Sequence, residues 1–250
     1  MAEQHRGRVR VEPGAKRVRA YLGGQPVLDT THPTLVWEVP YYPAYYVPRD
    51  DVLADLKPSP KTDHSPSRGD ATYFDVVVGT TVVETAASQY PTSPLEELRE
   101  LIRLDWNAMD AWFEEDVEVF VHPRDPYTRI DTLPSSRHVE VIVDGVTVAD
   151  STHPTLLFET GLPPRYYVPK TDVRLDLLRE SPTTSACPYK GFARYWSVDT
   201  GRSVAEDVAW SYPTPLPESE RVAGLVAFYN ERVDLRVDGE MLERPRTHFS

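Results

Sequence analysis

The sequence is short of several things, and each shortage excludes a class of protein. It has one cysteine, Cys187, among 250 residues. A lone thiol closes no internal disulfide and cannot supply the paired thiolates of a structural zinc site, so a cytoplasmic protein without a metal centre is expected. No stretch approaches the ~20 apolar residues of a membrane-spanning helix. The basic N-terminal stretch lacks the apolar run of a secretory signal. Cations are outnumbered, with 27 Lys and Arg against 39 Asp and Glu and a net charge of −12. Binding to nucleic acid or to an anionic membrane needs clustered cations, so neither partner is expected. Also missing are the phosphate-cradling GxxxxGK[ST], the dinucleotide GxGxxG and the nucleophile elbow GxSxG, and no cofactor is expected.

What is present is a duplication. "THPTLVWEVPYYPAYYVPRDDV" (Thr31 to Val52) returns as "THPTLLFETGLPPRYYVPKTDV" (Thr152 to Val173). The offset is 121 from His32 to His153 and 122 from Gly69 to Gly191, which places a one-residue insertion near Leu177 to Pro182. A period this long is a whole domain, not a solenoid unit. The reading is a leader at 1–16, a first copy at 17–121, a proline-rich linker at 122–137, a second copy at 138–242 and a tail at 243–250.

Each copy reads as mostly strand. Val139, Val141 and Val143 alternate with polar neighbours before Asp144-Gly145, and copy 1 has Gly23-Gly24 at the same place. Both are two-residue hairpin signals, because a type I′ turn needs positive φ at both positions. A second hairpin is expected about Thr200-Gly201. Leu95, Leu98, Leu101, Ile102 and Trp106 stand at helical spacing, so a late helix is expected in each copy. The fold class is mainly β or α+β: two small β-rich domains, each covered by a late helix.

"YYVPKTDVRLDLL", "CPYKG", "YWSV" and "AEDVAWSYPTP" together resemble the DUF427 family, and the two-copy layout is similar to its tandem actinobacterial form. The resemblance covers about Arg17 to Leu242. It implies compact domains related to the tent-like sheets of Mss4-like proteins. The family has no settled function, although it is sometimes labelled nucleotidyltransferase-like.

The copies differ most in one loop. "SPTTSACPYKG" ends at Gly191, while "SPKTDHSPSRG" ends at Gly69, so Cys187 faces Ser65, Tyr189 faces Ser67 and Lys190 faces Arg68. Copy 2 keeps the family-like loop, and the expectation is that copy 1 has decayed. Cys187 is the candidate nucleophile, because a cation such as Lys190 three residues on would favour its thiolate. The bland alternative is a small buried Cys in a tight loop, with Pro188 and Gly191 as turn residues. Family members often carry His directly before the Cys. Here that position is Ala186, and His64 stands beside Ser65 instead, so only His153 could lend an imidazole. His32 and His153, kept in both copies, read more readily as strand-entry residues bonded to backbone. Glu206 is a candidate acid or base on a hairpin strand, or a loop-bonding carboxylate. Tyr167, Tyr189, Tyr212 and Trp210, with Lys170, Lys190 and Arg165, could line an aromatic pocket for a small anionic or nucleotide-like ligand, with Gly191 letting backbone approach it. The same tyrosines could simply be core. Three functions stay open: a small-molecule binding module in the C-terminal copy, an enzyme using Cys187, or an interaction protein whose exposed β edges support a homo-oligomer.

Overall fold

A computed structural model describes residues 9–247, 249 and 250, so the first half of the expected leader lies outside the described residues. The chain divides into two units, Met1–Asp125 and Pro126–Ser250. Each is taken by itself.

Unit 1 contains β1 (Arg10–Pro13), β2 (Val18–Leu22), β3 (Gln25–Thr30), β4 (Thr34–Val39), β5 (Tyr42–Pro48), β6 (Asp55–Ser65), β7 (Gly69–Val78), β8 (Thr81–Gln89), β9 (Leu101–Leu104), β10 (Ala111–Glu114) and β11 (Val117–Val119). They form a large sheet in the order β1-β4-β5-β9-β8-β7-β6 and a small one in the order β11-β10-β2-β3. Unit 2 contains β12 (Ile130–Pro134), β13 (Val139–Val143), β14 (Val146–Ser151), β15 (Thr155–Glu159), β16 (Arg165–Val168), β17 (Leu178–Cys187), β18 (Gly191–Asp199), β19 (Val204–Ser211), β20 (Val226–Phe228), β21 (Asp234–Val237) and β22 (Glu240–Met241). Its sheets run β12-β15-β16-β20-β19-β18-β17 and β14-β13-β21-β22, the same two orders strand for strand. No helix among the described residues is long and apolar enough to cross a membrane.

The period-2 alternation read from the sequence decides which face each residue takes. In unit 2 the valines of β13 and β21 pack with Leu156, Tyr166, Val168, Val208 and Phe228 of the large sheet, making the sandwich core. The neighbours Leu157, Tyr167, Tyr195, Trp210 and Tyr212 point the other way and cluster on the outer face. Unit 1 repeats the division. Tyr45 and Val47 join the sandwich core, while Tyr46, Ala71 and Tyr90 lie on the outer face beneath Leu98. Both hairpin turns are as expected, with positive φ at Gly23, Gly24, Asp144 and Gly145.

One expectation changes, the late helix, and the structure adds detail on the leader, linker, tail and insertion. The late helix of each copy is reduced to 3-10 turns, Glu96–Leu98 and Trp106–Ala108 in one and Pro217–Val222 in the other, and no α-helix occurs among the described residues. The apolar residues are real core, but Ile102 and Leu104 reach it by strand alternation. Pairing of β9 with β5 and β8 satisfies the backbone there and overrides local helical spacing. The leader and the linker each give an edge strand to a large sheet, β1 on β4 and β12 on β15. The tail is tied down as well, since the Thr247 hydroxyl donates to Glu231 Oε1 at 2.6 Å. Finally, Pro58↔Phe74 and Glu180↔Trp196 are equivalent ladder pairs at offset 122. Leu28↔Val52 and Ala149↔Val173 are equivalent at 121. The insertion therefore lies between Val173 and Glu180, where copy 2 makes an extra 3-10 turn at Leu175–Leu177.

Candidate functional site

The outer face of each large sheet carries a polar cluster among its tyrosines. In unit 2 the cluster begins at the turn between β17 and β18. Gly191 has φ +91°, and a Cβ there would stand 3.4 Å from the Thr214 carbonyl oxygen. Leu216 N–H donates to the Lys190 carbonyl at 3.2 Å. Gly191 is thus needed for its positive φ, and the backbone packed against it is this chain's own 214–216 segment. The turn buries Lys190, whose ammonium is ion-paired with Glu159 at the end of β15. Lys190 is therefore committed to a carboxylate and is not the free cation expected beside Cys187. The thiol is half-buried. Tyr189 lies half-buried on the same turn.

Behind the turn the face is filled. Trp210 is 6% exposed, its Nε1–H donates to the Tyr167 hydroxyl at 3.1 Å, and its ring lies 4.4 Å from that of Tyr229. The Tyr195 hydroxyl contacts Ser185 at 2.8 Å and Tyr229 at 3.3 Å. Arg165 makes two parallel bonds to Glu231, 2.6 and 2.8 Å, and its guanidinium lies within 5.7 Å of the Trp210, Tyr229 and Phe249 rings. Burial pushes the phenols of Tyr167, Tyr212 and Tyr229 far up, so they serve as neutral hydroxyls.

Of the residues named from sequence, the structure brings Cys187, Lys190, Tyr189, Gly191, Tyr167, Trp210 and Tyr212 to one outer face. Three are elsewhere. Glu206 accepts from the Ser197 hydroxyl at 2.7 Å near the tip of the β18–β19 hairpin, six residues along β18 from Gly191 and so roughly 20 Å from the turn. His153 precedes β15, whose other end carries Glu159. It is exposed, with Nδ1 3.2 Å from Thr152 Oγ1 and Nε2 3.5 Å from Asp172. His32 makes the same contact with Thr31 at 3.2 Å, so the histidine belongs to a turn shared by both copies. Lys170 lies over Trp196, on the sandwich side of the sheet.

The site that sequence reasoning passed over is in unit 1. Glu38 Oε1 accepts from the Tyr46 hydroxyl at 2.7 Å and from Arg103 Nε at 2.9 Å, and it is ion-paired with Arg68. Arg68 also donates to Tyr46 at 3.0 Å and to Ser65 at 3.2 Å, and lies 4.9 Å over the Tyr90 ring. Burial, with the nearby Glu38 charge, pushes the Tyr46 phenol far up. Glu38, Ser65, Arg68, Tyr90 and Arg103 line an open cavity of about 340 Å³ together with Tyr73 and Ser88. Asp63 and His64, which is bonded to Asp70 at 2.6 Å, sit exposed at its rim. The loop described as decayed therefore keeps the ion pair, with Arg68 in place of Lys190 and Glu38 in place of Glu159. A signal for it existed: the carboxylate and the cation recur at equivalent positions in both copies. Arg103 gave none, because Ala227 takes its place in the β20 ladder.

Among the described residues no group of three or more His, Cys, Asp or Glu is placed to hold a metal ion. No curated protein matches the sequence. A family model described as a domain of unknown function, DUF427, matches twice, at residues 10–115 and 131–239. The two matches span most of the chain and fall one on each unit, so the chain belongs to the DUF427 family and carries its domain in tandem.

Proposed function

We propose that this protein binds a small anionic molecule, and that the binding cavity is the one in the N-terminal copy. One observation carries the reading: two guanidiniums, Arg68 and Arg103, share a single oxygen of one carboxylate, Glu38, inside an open, tyrosine-walled cavity of about 340 Å³. The interior is left with one positive charge in excess. The acidic Asp63 stands at the exposed rim, where solvent screens it. Arg suits this task, since its planar fork meets a carboxylate or phosphate through two parallel bonds. The volume falls in the range of small-ligand sites.

The sequence pointed to the C-terminal copy, and the geometry there supports ligand binding less well. Lys190 is matched by Glu159 and Arg165 by Glu231, so each cation already has an internal anion. A Cys187 enzyme is supported less still. Its cation is engaged elsewhere and His153 lies at the far end of β15.

The test is isothermal titration of the full chain with simple carboxylates and inorganic phosphate. Binding is expected at one site per chain and should weaken as salt rises. Arg103→Met should weaken it about tenfold, and Glu38→Gln, which removes the internal competitor, should tighten it several-fold. If Arg103→Met leaves the affinity unchanged, the anion is not held in this cavity.

A further inference from the structure

We infer that the ligand is a flat ring system of about indole size bearing an anionic group, and that the C-terminal copy carries the ring as a side chain of its own, Trp210. The inference rests on the anion-binding reading above and adds the ring to it.

The two copies can be overlaid by ladder register alone. Trp210 pairs with Tyr195 on one side and Ala227 on the other, and Ser88 pairs with Tyr73 and Arg103. Ser88 and Trp210 therefore occupy the same point on the outer face. In the C-terminal copy that point holds an indole among aromatic walls. Tyr167 meets it edge-on at 6.1 Å and bonds its N–H, and the Arg165 guanidinium lies 5.7 Å from its centre. The N-terminal copy keeps Tyr46, Tyr73 and Tyr90 in place of Tyr167, Tyr195 and Tyr212, and deletes the indole back to a hydroxymethyl. A cavity of about 340 Å³ lies there, lined by Ser88. For scale, a dry cavity of about 150 Å³ takes benzene. The space fits a bicyclic ring with a carboxylate attached.

The charged end follows from the same register. Arg103 stands directly across the ladder from Ser88, where the C-terminal copy has Ala227. A ring above Ser88 would place its anionic substituent at Arg103 and Arg68. Tyr90 already stacks beneath the Arg68 guanidinium, so ring and cation share one surface.

The experiment titrates the full chain with four probes: indole-3-carboxylate, indole, acetate and inorganic phosphate. The expected result is that indole-3-carboxylate binds at least tenfold tighter than each of the others. Ser88→Trp, which rebuilds the arrangement of the C-terminal copy, should abolish that binding. Ser88→Leu, a smaller plug that disturbs folding less, should weaken it at least tenfold. Acetate or phosphate binding as tightly as indole-3-carboxylate overturns the ring and leaves the anion site standing. Indole binding as tightly as its carboxylate overturns the anion reading. Binding by none of the four overturns both, and an unchanged affinity in a folded Ser88→Trp chain overturns the placement over Ser88.

Discussion

Removing the carboxylate of Glu231 should cost unit 2 about 3–5 kcal/mol, the usual cost of stranding a buried charge by deleting its partner. The figure follows from how completely the pair is enclosed. The side chains of Arg165 and Glu231 are 6% and 0% exposed. Three aromatic rings surround the guanidinium, so water cannot reach it to replace the lost anion. Glu231→Ala would also cut the Thr247 bond, a further ~1 kcal/mol. Because each 1.4 kcal/mol is a factor of ten, native-state hydrogen exchange should speed up by roughly a hundred- to several-thousand-fold. The amides to follow are those of β16 and β20, whose peptides report unit 2 alone. Replacing both partners by apolar residues, Arg165→Met with Glu231→Leu, should bring most of this back, since a buried pair is often no more stabilising than well-packed hydrophobes. Arg103→Met in unit 1 sets the contrast. That guanidinium is 30% exposed, and Glu38 keeps two other donors, so a loss under ~1 kcal/mol is expected. An acceleration below tenfold in Glu231→Ala would falsify the reasoning. It would mean that the C-terminal cluster is hydrated, and the argument that its charges are satisfied internally would fall with it.

Acid should expose the same pair. Burial alone raises the Glu231 carboxyl, but bonds from Arg165 and Thr247 outweigh it and hold the group below its ordinary 4.5. A depressed carboxyl contributes stability above that value and loses it as pH falls through the folded value. The urea midpoint of the wild type should therefore drop toward that of Glu231→Gln between pH 5 and pH 3, and a constant gap across that range would contradict the assignment. Gly191→Ala should cost about 1–3 kcal/mol, from the positive φ, with no loss of anion affinity in titration.

Much of the fold could be read from the sequence because it depends on periodicities that the duplication shows twice. Asp144-Gly145 and Gly23-Gly24 specify the same hairpin in two different ways, and both form it. The late helix could not be read correctly, because Leu98 and Ile102 satisfy helical and strand spacing alike. What decides between them is whether β5 and β8 offer a free edge to β9, and local sequence does not show that. The site was legible in its parts. Tyr167, Lys190, Trp210 and Tyr212 do share a face. Whether its charges are spare or spent was not legible, because a preserved motif looks the same in either case. Glu159 and Glu231 spend them, and neither lies near the "CPYKG" loop in sequence.

The two copies solve one burial problem with the same kinds of groups differently placed. Each outer face needs a guanidinium beside its tyrosines. The N-terminal copy puts it at Arg103 on β9 and keeps Ala44 small, while the C-terminal copy puts it at Arg165 on β16 and keeps Ala227 small. The exchange changes what the cation can do. Arg165 sits opposite Leu157 in the ladder, with its guanidinium 5.7 Å from the Tyr229 ring and within reach of Glu231, and is neutralised there. Arg103 sits opposite Ser88 and shares its carboxylate with Arg68. Moving one guanidinium by one strand, together with Trp210 for Ser88, converts an open, positively charged hollow into a closed, neutral core. The copy with the intact family-like loop is thus the one whose face is filled, and the copy with the altered loop keeps the room and the charge that a guest requires.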